Sequence, residues 1–192
     1  MEVEDQGYVH YRKGSVIMYA LKEYIGEDSL NLALRRFAEK TAYQEAPYTT
    51  TLVFLDELER VTPDSLSYLL DDFFRTITLY SNRTTDVTYR ELNNGTYEVT
   101  LQVESEKFRA DSTGLETPIP INDYIEIGVY REAEDDEKFG TPIHTEWKRI
   151  TQKENTFTII VDEEPYEAGI DPRYLLVDRV PGDNVKRVEE GE

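Results

Sequence analysis

Imidazole is a frequent metal ligand and general base, and this sequence holds two histidines, His10 and His144. A zinc hydrolase needs two imidazoles one helical turn apart, a carboxylate base beside them and a third ligand further on. Neither histidine is followed by glutamate, and the chain contains no H-E-x-x-H. Ser15, His10 and an aspartate supply the residue types of a nucleophilic triad, but no G-x-S-x-G elbow surrounds Ser15. A serine near a helix start is ordinarily a helix residue. The acidic run Glu132-Ala133-Glu134-Asp135-Asp136-Glu137 lacks the ligand order of a calcium loop and reads as a solvated loop between strands. Asn82-Arg83-Thr84 and Asn94-Gly95-Thr96 match the glycosylation acceptor pattern, the second also being a turn. Tyr11 remains. From its residue type alone, an aromatic at the start of a helix is there to pack.

The background is a strongly acidic chain of 192 residues with a formal net charge of −19. Such a field repels nucleic acid and anionic membrane surfaces, so neither is expected as a ligand. The absence of cysteine excludes disulfides, thiolate nucleophiles and Cys-ligated zinc. The segment Met1-Glu2-Val3-Glu4-Asp5 has neither the basic nor the apolar region of a signal peptide. The longest apolar run, Val16 to Leu21, is far below the roughly 20 residues that span a bilayer. A soluble chain is the expectation.

The elements that must position these residues fall into two halves with different hydrophobic periods. The first predicted helix runs from Arg12 to Ile25, with Ile17, Leu21, Tyr24 and Ile25 on one face and Gly26 just beyond it. Asp28 is the expected cap of a second helix, with Leu30, Ala33, Leu34 and Phe37 as its apolar stripe. A short helix is predicted through Leu52, Leu55 and Leu58. Thr62-Pro63-Asp64 carries the start signal of a fourth, lined by Leu66, Leu69, Leu70 and Phe73. From Asp86 onward the pattern alternates. Strands are predicted at Val87–Leu92, Tyr97–Glu104, Ile125–Tyr130, Ile143–Ile150 and Phe157–Val161, with Asn93-Asn94-Gly95 as a hairpin turn. Beyond Glu164 there is one apolar run, Tyr174 to Val177, before charge takes over. The expected class is α+β: a short antiparallel helical bundle over residues 1–79, then an Ig-like antiparallel β-sandwich with a charged tail over 80–192.

An ordered series of segments adds a resemblance. Tyr11-Arg12-Lys13-Gly14-Ser15 runs into a helix, followed by Tyr24-Ile25-Gly26-Glu27-Asp28, Ala33-Leu34-Arg35-Arg36-Phe37 and Pro47-Tyr48-Thr49-Thr50. Together these resemble the gluzincin zinc aminopeptidases, the family of aminopeptidase N and leukotriene hydrolase, with its Tyr-x-Lys-Gly stretch, helix, Gly-Glu-Asp corner and second helix. Lys107-Phe108-Arg109-Ala110-Asp111 and Ala168-Gly169-Ile170-Asp171-Pro172 look most like bacterial members, some of which are fused to transporter-like membrane segments.

The resemblance implies a C-terminal fragment of a zinc-dependent metallopeptidase, with Tyr11 as the catalytic oxyanion donor of the full enzyme. It implies zinc in the full-length parent, none in this chain, and a peptide as the parent's substrate. The zinc motif would lie in a preceding catalytic portion, which becomes the expected partner. A homodimer through exposed apolar surface is a further expectation. A periplasmic or membrane-associated parent follows by family analogy alone. The rival expectation is a stand-alone helical and sandwich module that binds a partner protein and never had a catalytic half.

Overall fold

The computed structural model describes residues 8–133 and 140–191, the side chains of 8–10 excepted. The chain divides into two compact units, one ending at Ile77 and the other beginning at Thr78. It is an α+β protein with two sheets, mostly antiparallel. No helix of the described residues is long and apolar enough to cross a membrane.

The helical unit opens with a wide, π-type turn, Tyr8–Lys13, which runs into α1, Gly14–Ile25. Arg12 therefore precedes the α-helix instead of starting it. Ile17, Ala20 and Leu21 are the buried stripe of α1, at the i, i+3, i+4 spacing of one helical face. Gly26, at φ 85°, ends α1 and also stands at the N-cap position of α2, Glu27–Thr41. A side chain is strained at that φ, so glycine is the residue that lets two helices meet there without a linker. Asp28 is consequently in the first turn of α2 and not its cap; with Glu27 it places negative charge at the positive end of the helix dipole. The apolar stripe of α2 is narrower than its periodicity suggests, because Leu30 and Ala33 are buried while Leu34 is exposed.

In α3, Thr51–Glu59, Leu55 and Leu58 are buried and Leu52 is exposed. Edge-on ring contacts link α2 to α3 through Phe37 and Phe54, and Phe54 to Phe74 further on. Thr62 does not cap the next helix. Its hydroxyl and its backbone N–H both donate to the Leu58 carbonyl, which closes α3 instead. The predicted fourth helix is a mixture: a 3₁₀ turn at Asp64–Leu66, one α turn, α4, at Tyr68–Leu70, and a π-type segment at Asp71–Arg75. Leu69, Leu70 and Phe73 still bury, since three windings of different pitch keep such closely spaced residues on one side.

The β unit begins earlier than the alternation suggests. β1 spans Ile77–Glu91, so Leu79 is strand and not the end of the helical part. β2, Tyr97–Ala110, follows across the Asn94-Gly95 turn, with Gly95 at φ 79°. β3, Glu116–Ile119, and β6, Glu154–Val161, share the other edge of β2: residues 97–104 pair with β6 and residues 107–110 with β3. β9, Glu189–Glu190, completes this first sheet by pairing parallel to β1. The second sheet orders β5, Pro142–Ile150; β4, Asp123–Tyr130; β7, Glu167–Ile170; and β8, Val185–Arg187. Val99, Leu101 and Val103 of β2 and Ile125, Ile127 and Val129 of β4 form the apolar core. The segment beyond Glu164 holds more than one apolar run and charge. It supplies β7, β8 and β9 and buries Leu175, Leu176 and Val188; strands of two to four residues are too short to show an alternation.

Close backbone approach makes Gly140 and Gly169 obligatory. A Cβ on Gly169 would lie 2.1 Å from the Asn184 carbonyl oxygen, so β7 and the turn before β8 would have to separate. Gly169→Ala is expected to destabilise the chain by about 3 kcal/mol or more, whereas Gly182→Ala, with nothing within 4 Å, stays within about 0.5 kcal/mol. Urea unfolding of the two variants checks the contrast.

Candidate functional site

Tyr11 lies in the π-type turn with 81% of its surface exposed. Its backbone is anchored although its ring is not. The Ser15 hydroxyl donates to the carbonyls of Tyr11 and Arg12, at 2.5 and 3.0 Å. Lys13 Nζ donates to the Thr76 carbonyl at 3.4 Å, tying the turn to the far end of the same unit. Burial holds the Lys13 ammonium below the usual lysine value. In Tyr11-Arg12-Lys13-Gly14 the lysine thus acts as a brace, while the phenol stands free to donate a hydrogen bond. Tyr11, Ser15 and Tyr19, spaced one helical turn apart, are all exposed, and Val16 lies beside them.

The other sequence candidates separate. Ser15 is committed to two backbone carbonyls, the usual occupation of a helical serine. His144 lies on β5, its Nε2 3.6 Å from Glu146 Oε1, beyond hydrogen-bond reach. The side chain of His10 and residues Glu134–Glu137 of the acidic run lie outside the described residues. Among the described residues no group of three His, Asp or Glu side chains converges in a way that could hold a metal ion. Asn82 is 1% exposed on β1, its side-chain oxygen accepting from the Ser105 hydroxyl at 2.5 Å, so this acceptor pattern is closed in the folded chain. Asn94 is exposed at the hairpin tip and its Oδ1 accepts from the N–H and hydroxyl of Thr96. That is an Asx turn, and it accounts for Asn94 as a turn residue.

What sequence reasoning missed is a buried polar cluster in the β unit. Asp123, the first residue of β4, accepts from Lys107 Nζ on β2 at 2.8 and 3.1 Å and from the Tyr80 hydroxyl on β1 at 3.0 Å. Lys107 also lies 5.5 Å from the centre of the Tyr80 ring. All three side chains are buried. On β4, Glu126 is buried and takes a two-pronged contact from Arg173, at 2.6 and 2.8 Å. Asp171 is left-handed, at φ 45°, and its carboxylate accepts the backbone N–H groups of Leu175 and Leu176. Burial pushes its carboxyl up to about 7; the two N–H donors pull it down, and the charges of Asp178 and Glu126 push it further up. Asp178, likewise raised by burial, accepts from the N–H groups of Asn82 and Val180.

Two of the segments that carry the family resemblance, Lys107–Asp111 and Ala168–Pro172, thus contain the buried Lys107 and the buried Asp171. Residue type hid them, because a lysine in a strand is ordinarily read as solvent-facing. The one available signal was Ser105 and Lys107 continuing the inward phase of Val99, Leu101 and Val103. The cluster joins strands and loops, and its charges are paired or bonded to backbone. Protein-family models and curated proteins give no match to this chain.

Lys107→Met leaves Asp123 buried without its cation and is expected to cost about 3–5 kcal/mol; adding Asp123→Leu restores most of that loss in a double-mutant cycle. Asp171 gives a pH dependence of defined sign. Its folded pKa of about 7 lies above the ordinary 3.8, so the native state holds the proton more tightly than the unfolded chain. The contribution of this group is complete below about pH 4 and is lost as pH rises through about 7. The destabilisation caused by Asp171→Asn is therefore expected to shrink by about 2–3 kcal/mol between pH 5 and pH 8. Urea midpoints of both chains across that range read it directly.

Proposed function

We propose that this chain is the C-terminal part of a zinc-dependent, aminopeptidase-like metallopeptidase, with Tyr11 as its oxyanion-stabilising residue. The supporting observation is the exposure of Tyr11 on a turn whose backbone is held by Ser15 and Lys13. A neutral phenol so placed donates one hydrogen bond to an oxygen that gains negative charge when a peptide carbonyl is attacked. It introduces no charge of its own to be desolvated. On this reading the zinc and the attacking water belong to a preceding portion of the parent. In this proposal the β unit is an Ig-like sandwich that follows the catalytic domain, and the exposed face of α1 with Tyr11, Val16 and Tyr19 meets that preceding portion.

A second proposal, a stand-alone interaction module, is favoured by different residues. Tyr43, Tyr48 and Leu52, around the junction of α2 and α3, are exposed, and apolar side chains this open suit a partner protein or a second copy. The coding sequence around Met1 separates these: an in-frame H-E-x-x-H upstream supports the peptidase, and a native start codon at Met1 supports the module.

In the parent enzyme, Tyr11→Phe is expected to lower kcat about 100- to 1000-fold. Zinc content and unfolding midpoint should be unchanged, because the exposed hydroxyl makes no contribution to packing. Unaltered turnover, or tight zinc retention and amidase activity by the isolated chain, would overturn the proposal. So would a native coding sequence with no H-E-x-x-H upstream and in frame.

A further inference from the structure

Each edge of a β-sheet presents unpaired N–H and C=O groups, and natural proteins guard such edges with charge, proline or shortness. Most edges here are guarded in that way. β5 starts at Pro142 and carries Glu146, Lys148 and Arg149; β3 is four residues long and includes Pro118; β8 is three residues long and carries Lys186 and Arg187. β6 is different. Its eight residues pair with β2 in unbroken register, Glu154 with Glu104 through to Val161 with Tyr97. Among the described residues no strand pairs with its other side.

From Asn155 to Val161 this strand has no charge, no proline and no glycine. Thr156, Thr158 and Ile160 lie exposed, the last at 49%. Both ends carry exposed carboxylates: Glu154 before it, next to Lys153 whose ammonium pairs with Glu106 at 3.0 Å, then Asp162, Glu163 and Glu164 after it. An incoming strand therefore meets an uncharged, β-branched middle between two negative ends. A second copy of the chain fits this poorly. An antiparallel two-fold pairing centred on Thr158 sets Glu154 of one copy opposite Asp162 of the other. Like charges directly across a ladder destabilise it, and each copy carries a net charge of −19. A strand with cationic ends meets opposite charge at both places.

We propose that the free edge of β6 takes an extended peptide strand, with a β-branched, uncharged centre and lysine or arginine at its ends, by strand addition to the first sheet. The main-chain ladder supplies the binding and the end charges supply the selectivity. It rests on the β unit alone and stands or falls separately from the peptidase proposal.

The test uses the full chain and a synthetic probe of alternating threonine and valine, six residues long, with two lysines at each end. Hydrogen exchange followed by NMR is expected to slow at least tenfold at the outward amides of β6. The same probe with glutamate ends should bind at least tenfold more weakly, and added salt should weaken the lysine-ended probe. Thr158→Lys places a guarding cation on the strand, and should reduce binding at least tenfold with the unfolding midpoint unchanged. A probe N-methylated at alternate residues removes the ladder without touching the protein and should not bind. No protection at β6, equal binding of the two end-charge variants, or a concentration-dependent dimer that protects β6 without any peptide would each overturn the proposal.

Discussion

Asp123 is a carboxylate with almost no access to water, and moving such a charge out of water costs several kcal/mol unless it is paired and hydrogen-bonded. Lys107 and Tyr80 supply that pairing from β2 and β1, while Asp123 itself opens β4 in the other sheet. The contact is therefore possible in only one alignment of the two sheets at that end of the β unit. Val99, Leu101, Ile125 and Ile127 are buried, but apolar packing tolerates sliding; a buried ion pair does not. The second polar knot repeats the logic at the chain's end. Asp171 fastens the loop after β7, Asp178 bonds to the backbone of Asn82 on β1, and the Thr84 hydroxyl reaches the Asn184 carbonyl. A C-terminal segment poor in regular structure becomes part of the core because its backbone groups find partners there.

The helical unit obeys a different constraint. Its helices are short, so their stability comes from packing and from their ends and not from propensity alone. Gly26 joins two helices at a positive φ, Thr62 closes α3, and the buried Glu57 lies between Lys40 of α2 and Arg60 just past α3. The turn before α1 is held from both sides by Ser15 and Lys13. The backbone of Tyr11 is held there while its ring remains in water.

Much of the local structure was legible in the residues. The stripes around Ile17 and Leu21, and around Leu55 and Leu58, are buried where periodicity placed them, and the Asn94-Gly95 turn connects two long strands. The misreadings share a cause. Thr62 and Asp28 are capping residue types, yet which helix end a polar side chain serves depends on where the neighbouring backbone goes. Leu34 and Leu52 have helical spacing but exposed surfaces, since spacing defines a face and not what covers it. The fourth helix changes pitch over a few residues, below what apolar spacing resolves.

The amino-acid order by itself determined the two halves, the α+β class and most strand positions, because these rest on interactions between residues near one another in the chain; Tyr11 became a candidate through the family resemblance alone. The tertiary structure alone decided that Lys107, Asp123 and Asp171 are buried together with their partners, that Asn82 is closed and Asn94 open, and that the acidic tail returns to form β7 to β9. Those outcomes depend on desolvation and on hydrogen bonds between residues far apart in sequence. A charged side chain reads as a surface residue until the fold brings it a partner.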